Sequence, residues 1–134
     1  MGNVEHIGIA VKDLSVSVPL FEKLLNSKCY KIETVESEQV KTAFFSTGNT
    51  KIELLESTNP DGIIARFIAK KGEGMHHLAF EVKDLVTEID RLKEEGFIPI
   101  NETPKKGADN KLVCFLQPKT TNGILIELCQ DIGH

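Results

Sequence analysis

The sequence predicts an α+β fold built from two tandem βαβββ modules, and three observations carry that expectation. H-I-G-I-A-V-K-D-L at 6–14 returns as H-L-A-F-E-V-K-D-L at 77–85, and K-I-E-L-L at 51–55 returns as L-I-E-L-C at 125–129. His6 and His77 stand 71 positions apart and Glu53 and Glu127 stand 74 apart, offsets near half of the 134 residues and far beyond a solenoid unit. Between the echoes, both halves run through the same succession of β-like and helical hydrophobic periods.

Each half opens on a strand. Val4 to Val11 and Met75 to Val82 alternate or run apolar, with β-branched and aromatic residues. Each then passes an aspartate into a helical pattern: Leu14, Val18, Phe21 and Leu25 in the first half; Leu85, Ile89 and Leu92 in the second, with Gly96 as its stop. Because proline is tolerated only in the first turn, Pro19 places the first helix start near Ser17. Strands are expected at Lys28 to Val35, Val40 to Ser46 and Lys51 to Glu56, the last two joined by T-G-N-T. Their counterparts are Phe97 to Ile100, Leu112 to Leu116 and Ile124 to Gln130, broken by P-K-K-G-A-D-N and P-K-T-T-N-G. Pro60 to Lys70 reads as a linking helix with Ile64, Phe67 and Ile68 on one face. The expected organisation is a single domain over 1–134: module 1 about 1–58, a linking helix about 60–71 and module 2 about 74–131.

Composition narrows the function. Forty per cent apolar and 27% charged residues are globular values, and a formal charge of −4 offers no basic footprint for nucleic acid or an anionic membrane. No apolar run approaches a membrane span, and the start M-G-N-V-E-H lacks the Ser or Thr that follows a myristoylated glycine. Cys29, Cys114 and Cys129 are odd in number and widely spaced, and no signal peptide is seen, so reduced thiols in a cytoplasmic protein are expected. His134 is assigned no role.

Strand alternation places His6, Gly8 and Ala10 on one face and Ile7, Ile9 and Val11 on the other, which must meet the helix. His77 and Ala79 repeat the pattern. A histidine beside such small side chains leaves a hollow. Glu53 and Glu127 likewise lie on the face away from Ile52 and Leu54, and from Ile126 and Leu128. A carboxylate in a partly buried place costs several kcal/mol unless it is paired or metal-bound. Two imidazoles and two carboxylates suit one divalent metal ion, and an octahedral shell around them keeps two positions open. The donor set does not distinguish Co²⁺, Mn²⁺, Ni²⁺, Fe²⁺ or Zn²⁺. Taken singly, a strand histidine is more often structural and a Glu within I-E-L more often solvent-facing. Recurrence of both types at matching offsets selects His6, Glu53, His77 and Glu127. His76 falls on the opposite face, Glu81 has Ala10 as its counterpart, and Glu56, at a strand end, is expected to turn to solvent.

With this pattern of paired modules and His/Glu sets, the chain resembles the vicinal oxygen chelate superfamily, which includes glyoxalase I, extradiol dioxygenases, and bleomycin- and fosfomycin-resistance proteins. Within it the resemblance is to the methylmalonyl-CoA epimerase branch, and it spans nearly the whole chain. G-N-T-K-I-E-L-L-E-S at 48–57, K-G-E-G-M-H-H-L-A-F-E-V at 71–82, F-L-Q-P-K at 115–119 and G-I-L-I-E-L at 123–128 carry it. The resemblance implies a curved mixed sheet around a metal-binding cavity, with metal ligands at the same four positions. It also implies R/S interconversion of an acyl-CoA thioester, methylmalonyl-CoA, by α-proton abstraction through a metal-stabilised enolate, in a homodimer. Two departures stand out. Some epimerases carry a catalytic carboxylate on the strand that here offers Thr42 and Ala43, and Gln117 stands where relatives often have His.

Inversion needs an acid/base on each face of a planar intermediate. Glu127 is the candidate for one; Glu36, Glu38 and a water on the metal are the options for the other. Lys105, Lys106, Lys111 and Lys119 are candidates for the nucleotide end of CoA, though solvated surface lysines explain them equally well. A glyoxalase I-type lactoylglutathione lyase is the enzymatic rival. An extradiol dioxygenase uses two His and one carboxylate, so the fourth donor argues against it. A non-catalytic resistance-type binding protein is the third reading, disfavoured by the complete quartet and by 6% aromatic residues.

Overall fold

The computed structural model describes residues 1–101 and 103–133; His134 lies outside them. Packing of the backbone divides the chain into two compact units, His6–His76 and Met1–Glu5 together with the chain from His77 onward. In order, the elements are β1 (Val4–Ala10), α1 (Leu14–Leu25), β2 (Lys31–Val35), β3 (Val40–Thr47), β4 (Thr50–Ser57), α2 (Ile63–Lys71), β5 (Gly74–Glu81), α3 (Leu85–Glu94), β6 (Lys105–Lys106), β7 (Lys111–Leu116) and β8 (Ile126–Asp131). Two βαβββ modules joined by a helix are therefore present, as the repeat predicts.

The strand order within the first unit is β2-β3-β4-β1, and within the second β5-β8-β7-β6. β1 runs parallel to β4 and β5 parallel to β8, while the remaining neighbours are antiparallel. The first residues join the second unit: Gly2 N–H donates to the Glu81 carbonyl at 2.7 Å, and Glu81 N–H to that of Asn3 at 3.0 Å. Gly2 is required there, because a Cβ would stand 2.8 Å from the same Glu81 oxygen.

The apolar faces meet the helices as alternation requires. In the first unit Leu14, Val18, Phe21 and Leu25 of α1 pack with Val11, Ala43, Phe45 and Leu54. In the second, Leu85, Ile89 and Leu92 of α3 pack with Val82, Cys114, Leu116 and Leu128. The linking helix places Ile64, Phe67 and Ile68 against Ala10, Val40 and Leu55. This fills the far end of the face that the small residues were expected to leave hollow, and Ala79 is likewise covered by Val113 and Cys129.

Three local expectations are corrected. α1 begins at Leu14 rather than near Ser17 and carries Pro19 inside it. Asp13 caps its start, accepting from the Ser15 hydroxyl at 2.7 Å and the Ser15 amide at 2.9 Å, which hold the Asp13 carboxyl below its usual range. That cap and the burial of Leu14 outweigh the backbone hydrogen bond that Pro19 removes. Phe97 to Ile100 is not a strand: Pro99 makes only an isolated bridge to Leu116, and β6 instead forms within the P-K-K-G-A-D-N segment. Glu56 does not simply turn to solvent. Its Oε1 accepts the Leu14 N–H at 2.7 Å, and Gln130 Oε1 accepts the Leu85 N–H at 2.8 Å in the same place of the other module.

Cys29, Cys114 and Cys129 are free thiols, and burial pushes the Cys114 thiol upward. Among the described residues no helix is long and apolar enough to cross a membrane. Because a glutamine does the capping work of Glu56 in the second module, Glu56→Gln should shift stability by under about 0.5 kcal/mol. Glu56→Ala, which leaves a part-buried amide unmet, should cost about 1–2 kcal/mol in urea unfolding.

Candidate metal centre

Each module brings one histidine and one glutamate together by the same construction. On parallel β1 and β4, Gly8 is the register partner of Glu53, and His6 lies two residues earlier on the same face. On parallel β5 and β8, Ala79 is the partner of Glu127, with His77 two residues earlier. Glycine or alanine beside the glutamate leaves room for the imidazole to lean over it. His6 Nδ1 lies 3.2 Å from Glu53 Oε2, and His77 Nε2 lies 3.0 Å from Glu127 Oε1. All four side chains are buried, between 4% and 7% exposed.

On its other side each glutamate faces a phenylalanine. Phe44 of β3 is opposite Glu53 and Phe115 of β7 is opposite Glu127. Phe115 meets the His77 ring edge-on at 5.6 Å, and Phe44 packs against Tyr30 at 6.0 Å with Lys31 Nζ 4.6 Å from its ring centroid. A small residue on one flank and an aromatic ring on the other exclude water from the carboxylates. Buried carboxylates persist only when paired or bound to a cation, and each of these is held against an imidazole. Nitrogen and oxygen donors in this setting fit a divalent first-row metal.

His76 packs edge-on against Phe67 of α2 at 4.9 Å, and Glu81 is exposed. In the 3-10 turn at Glu36–Glu38, Glu36 is exposed, whereas Glu38 is half-buried with Oε1 wholly covered. Lys106 and Lys119 are exposed, and Lys111 Nζ lies 3.9 Å from Asp131. Gln117 is half-buried and its backbone is engaged, the N–H donating to the Ile98 carbonyl at 2.7 Å and the carbonyl accepting from Thr120. Among the described residues three further polar ones are buried, including Ser17 of α1. Glu5 is 7% exposed, with a carboxylate oxygen within 4.8 Å of Cys129 Sγ, and Thr42 is completely buried. The signal for Glu5 is a charge in V-E-H at the head of an otherwise apolar strand.

The chain belongs to the Glyoxalase/Bleomycin resistance protein/Dioxygenase superfamily, whose family model matches residues 5–115. Among individual relatives, the ethylmalonyl-CoA/methylmalonyl-CoA epimerase of Cereibacter sphaeroides is 37% identical over 132 residues, covering 97% of this chain and 98% of that protein. The uncharacterized protein YqjC of Bacillus subtilis is 37% identical over 133 residues, 99% of this chain and 95% of its own. A solved methylmalonyl-CoA epimerase in complex with methylmalonyl-CoA and NH4+ superimposes with a TM-score of 0.92 at 29% identity, covering 99% of this chain and 96% of that one.

Removing one imidazole takes a close partner from a buried carboxylate. His77→Ala should therefore lower the stability of the metal-free protein by about 2 kcal/mol, read from urea unfolding, and His6→Ala by a similar amount.

Proposed function

We propose that the protein is a metal-dependent methylmalonyl-CoA epimerase, in which the two His–Glu pairs are the halves of one divalent-cation site. The observation that carries this reading is the recurrence of a buried imidazole–carboxylate pair, built the same way, in both modules. Among the described residues each module contributes one such pair, and the two are proposed to work as one domain with His6, Glu53, His77 and Glu127 as ligands. The cation would supply Lewis-acid stabilisation of the charge that builds on the thioester oxygen as the α-proton leaves. The epimerase relatives support both the acyl-CoA substrate and the reaction.

The chain's own groups then have to move one proton off the α-carbon and return one to the opposite face. Glu127 is proposed as one of the two. Its register neighbours Ala79 and Phe115 bear no side-chain hydrogen-bonding group. For the other face, Glu38 and Glu36 are the candidates, Glu38 being half-buried and Glu36 exposed. Lys105, Lys106 and Lys119 are proposed to meet the phosphates of CoA, Lys111 being already beside Asp131. A homodimer in a reducing, cytoplasmic setting completes the proposal, with light scattering and the three free thiols as its measures.

Exchange of the substrate α-proton for deuterium tests the reaction. It should occur with methylmalonyl-CoA, stop after chelation and return on adding Co²⁺. Exchange only with the glutathione hemithioacetal would instead identify a lactoylglutathione lyase, and exchange with neither would favour a binding protein. Glu127→Gln should lose about 10²–10⁴-fold in turnover while keeping most of its metal; parallel loss of both would make Glu127 a ligand only.

A further inference from the structure

Thr42 Oγ1 is completely buried and meets no hydrogen-bond partner. Buried hydroxyls in folded proteins are nearly always paired, so this one marks either an uncompensated cost or a group held ready for another state. The second module shows what packing alone demands at this place. Phe44 and Phe115 are the register partners of Glu53 and Glu127, so the residue two before each, Thr42 or Val113, is the equivalent position. Val113 has the same shape without the hydroxyl and is also buried, at 4% exposure. The core of such a module thus accepts valine here, and the hydroxyl of Thr42 is an addition that packing does not require.

Its neighbours indicate what it serves. Strand alternation puts Thr42, Phe44 and Ser46 of β3 on the same face as Lys51, Glu53 and Leu55 of β4. Glu53 is directly opposite Phe44 and one register step from both Thr42 and Ser46, a separation that a long side chain spans. Ser46 is exposed to water, whereas Thr42 is not. At present Oε2 of Glu53 is engaged with His6 Nδ1. A cation bound by both groups would end that contact, since nitrogen and oxygen would each direct a lone pair at the metal. A ligating carboxylate is normally oriented by a hydrogen bond to its remaining oxygen.

We propose that Thr42 is a positioning residue for Glu53: in the metal-loaded protein its hydroxyl donates to the Glu53 carboxylate and fixes it as a ligand. The inference rests on the metal-site reading above. It also separates the two glutamates chemically. Glu53 acquires a hydroxyl donor, while Val113, at the equivalent place beside Glu127, brings none.

The test is titration of the metal-free full chain with Co²⁺, followed by its visible absorption, for wild type, Thr42→Val and Thr42→Ser. Thr42→Val should bind Co²⁺ about 10–100-fold more weakly with an altered cobalt spectrum, and Thr42→Ser should restore both. The metal-free Thr42→Val protein should melt no lower than wild type. Equal Co²⁺ affinity and spectrum in Thr42→Val and wild type overturns the assignment of Thr42 alone, as does a metal-free Thr42→Val protein that melts lower or fails to fold. If wild type itself binds no Co²⁺, the metal-site reading falls and this inference with it.

Discussion

A buried imidazole leaning across a glycine or alanine onto a buried carboxylate is the constraint around which both modules are arranged. It requires that the histidine strand and the glutamate strand be adjacent and parallel. Parallel neighbours cannot be joined by a tight turn, so the chain must leave the sheet and return. In each module it does so through a helix and two antiparallel strands. The helix covers the opposite face, where Leu14, Phe21 and Leu25 or Leu85, Ile89 and Leu92 supply the core. The apolar side of the sheet therefore stabilises the module, and the polar side is left to hold charge.

The two caps link those sides. Glu56 and Gln130 stand three residues beyond Glu53 and Glu127 on the same strands and accept the first amide of the helix that follows the histidine strand. Displacing the glutamate strand along its axis would break the helix cap, so the register that sets the His–Glu distance is secured at a second point. Pro19, tolerated within α1, shows how much that anchored start matters: capping and burial of Leu14 outweigh a local helix rule.

Much of this was readable in the amino-acid order because internal duplication supplies its own comparison. Two offsets set His77 apart from His76, and Glu53 and Glu127 from the other acidic residues, and the structure pairs these glutamates with His6 and His77. The pairing of each histidine with its own module's glutamate was not readable, because it depends on which strands are adjacent. The same limit hid the cap of Glu56, whose partner is 42 positions away. It hid the burial of Glu5 and Thr42, which periodicity assigns to a face without saying what covers it. It also concealed β6, where two lysines pair with β7 despite a composition that reads as loop.

The two repeat offsets differ, and the structure locates the difference. Phe44 and Phe115 keep the spacing of the histidines, so the extra length enters between Phe115 and Glu127. There residues 117–125, with their 3-10 turn at Pro118–Thr120, replace the tight Gly48–Asn49 connection. Yet Phe opposes Glu identically in both modules. The hairpin end is thus mechanically decoupled from the His–Glu pair. Natural variation or engineering can lengthen, shorten or recharge that loop, altering the surface there while the His–Glu frame keeps its dimensions.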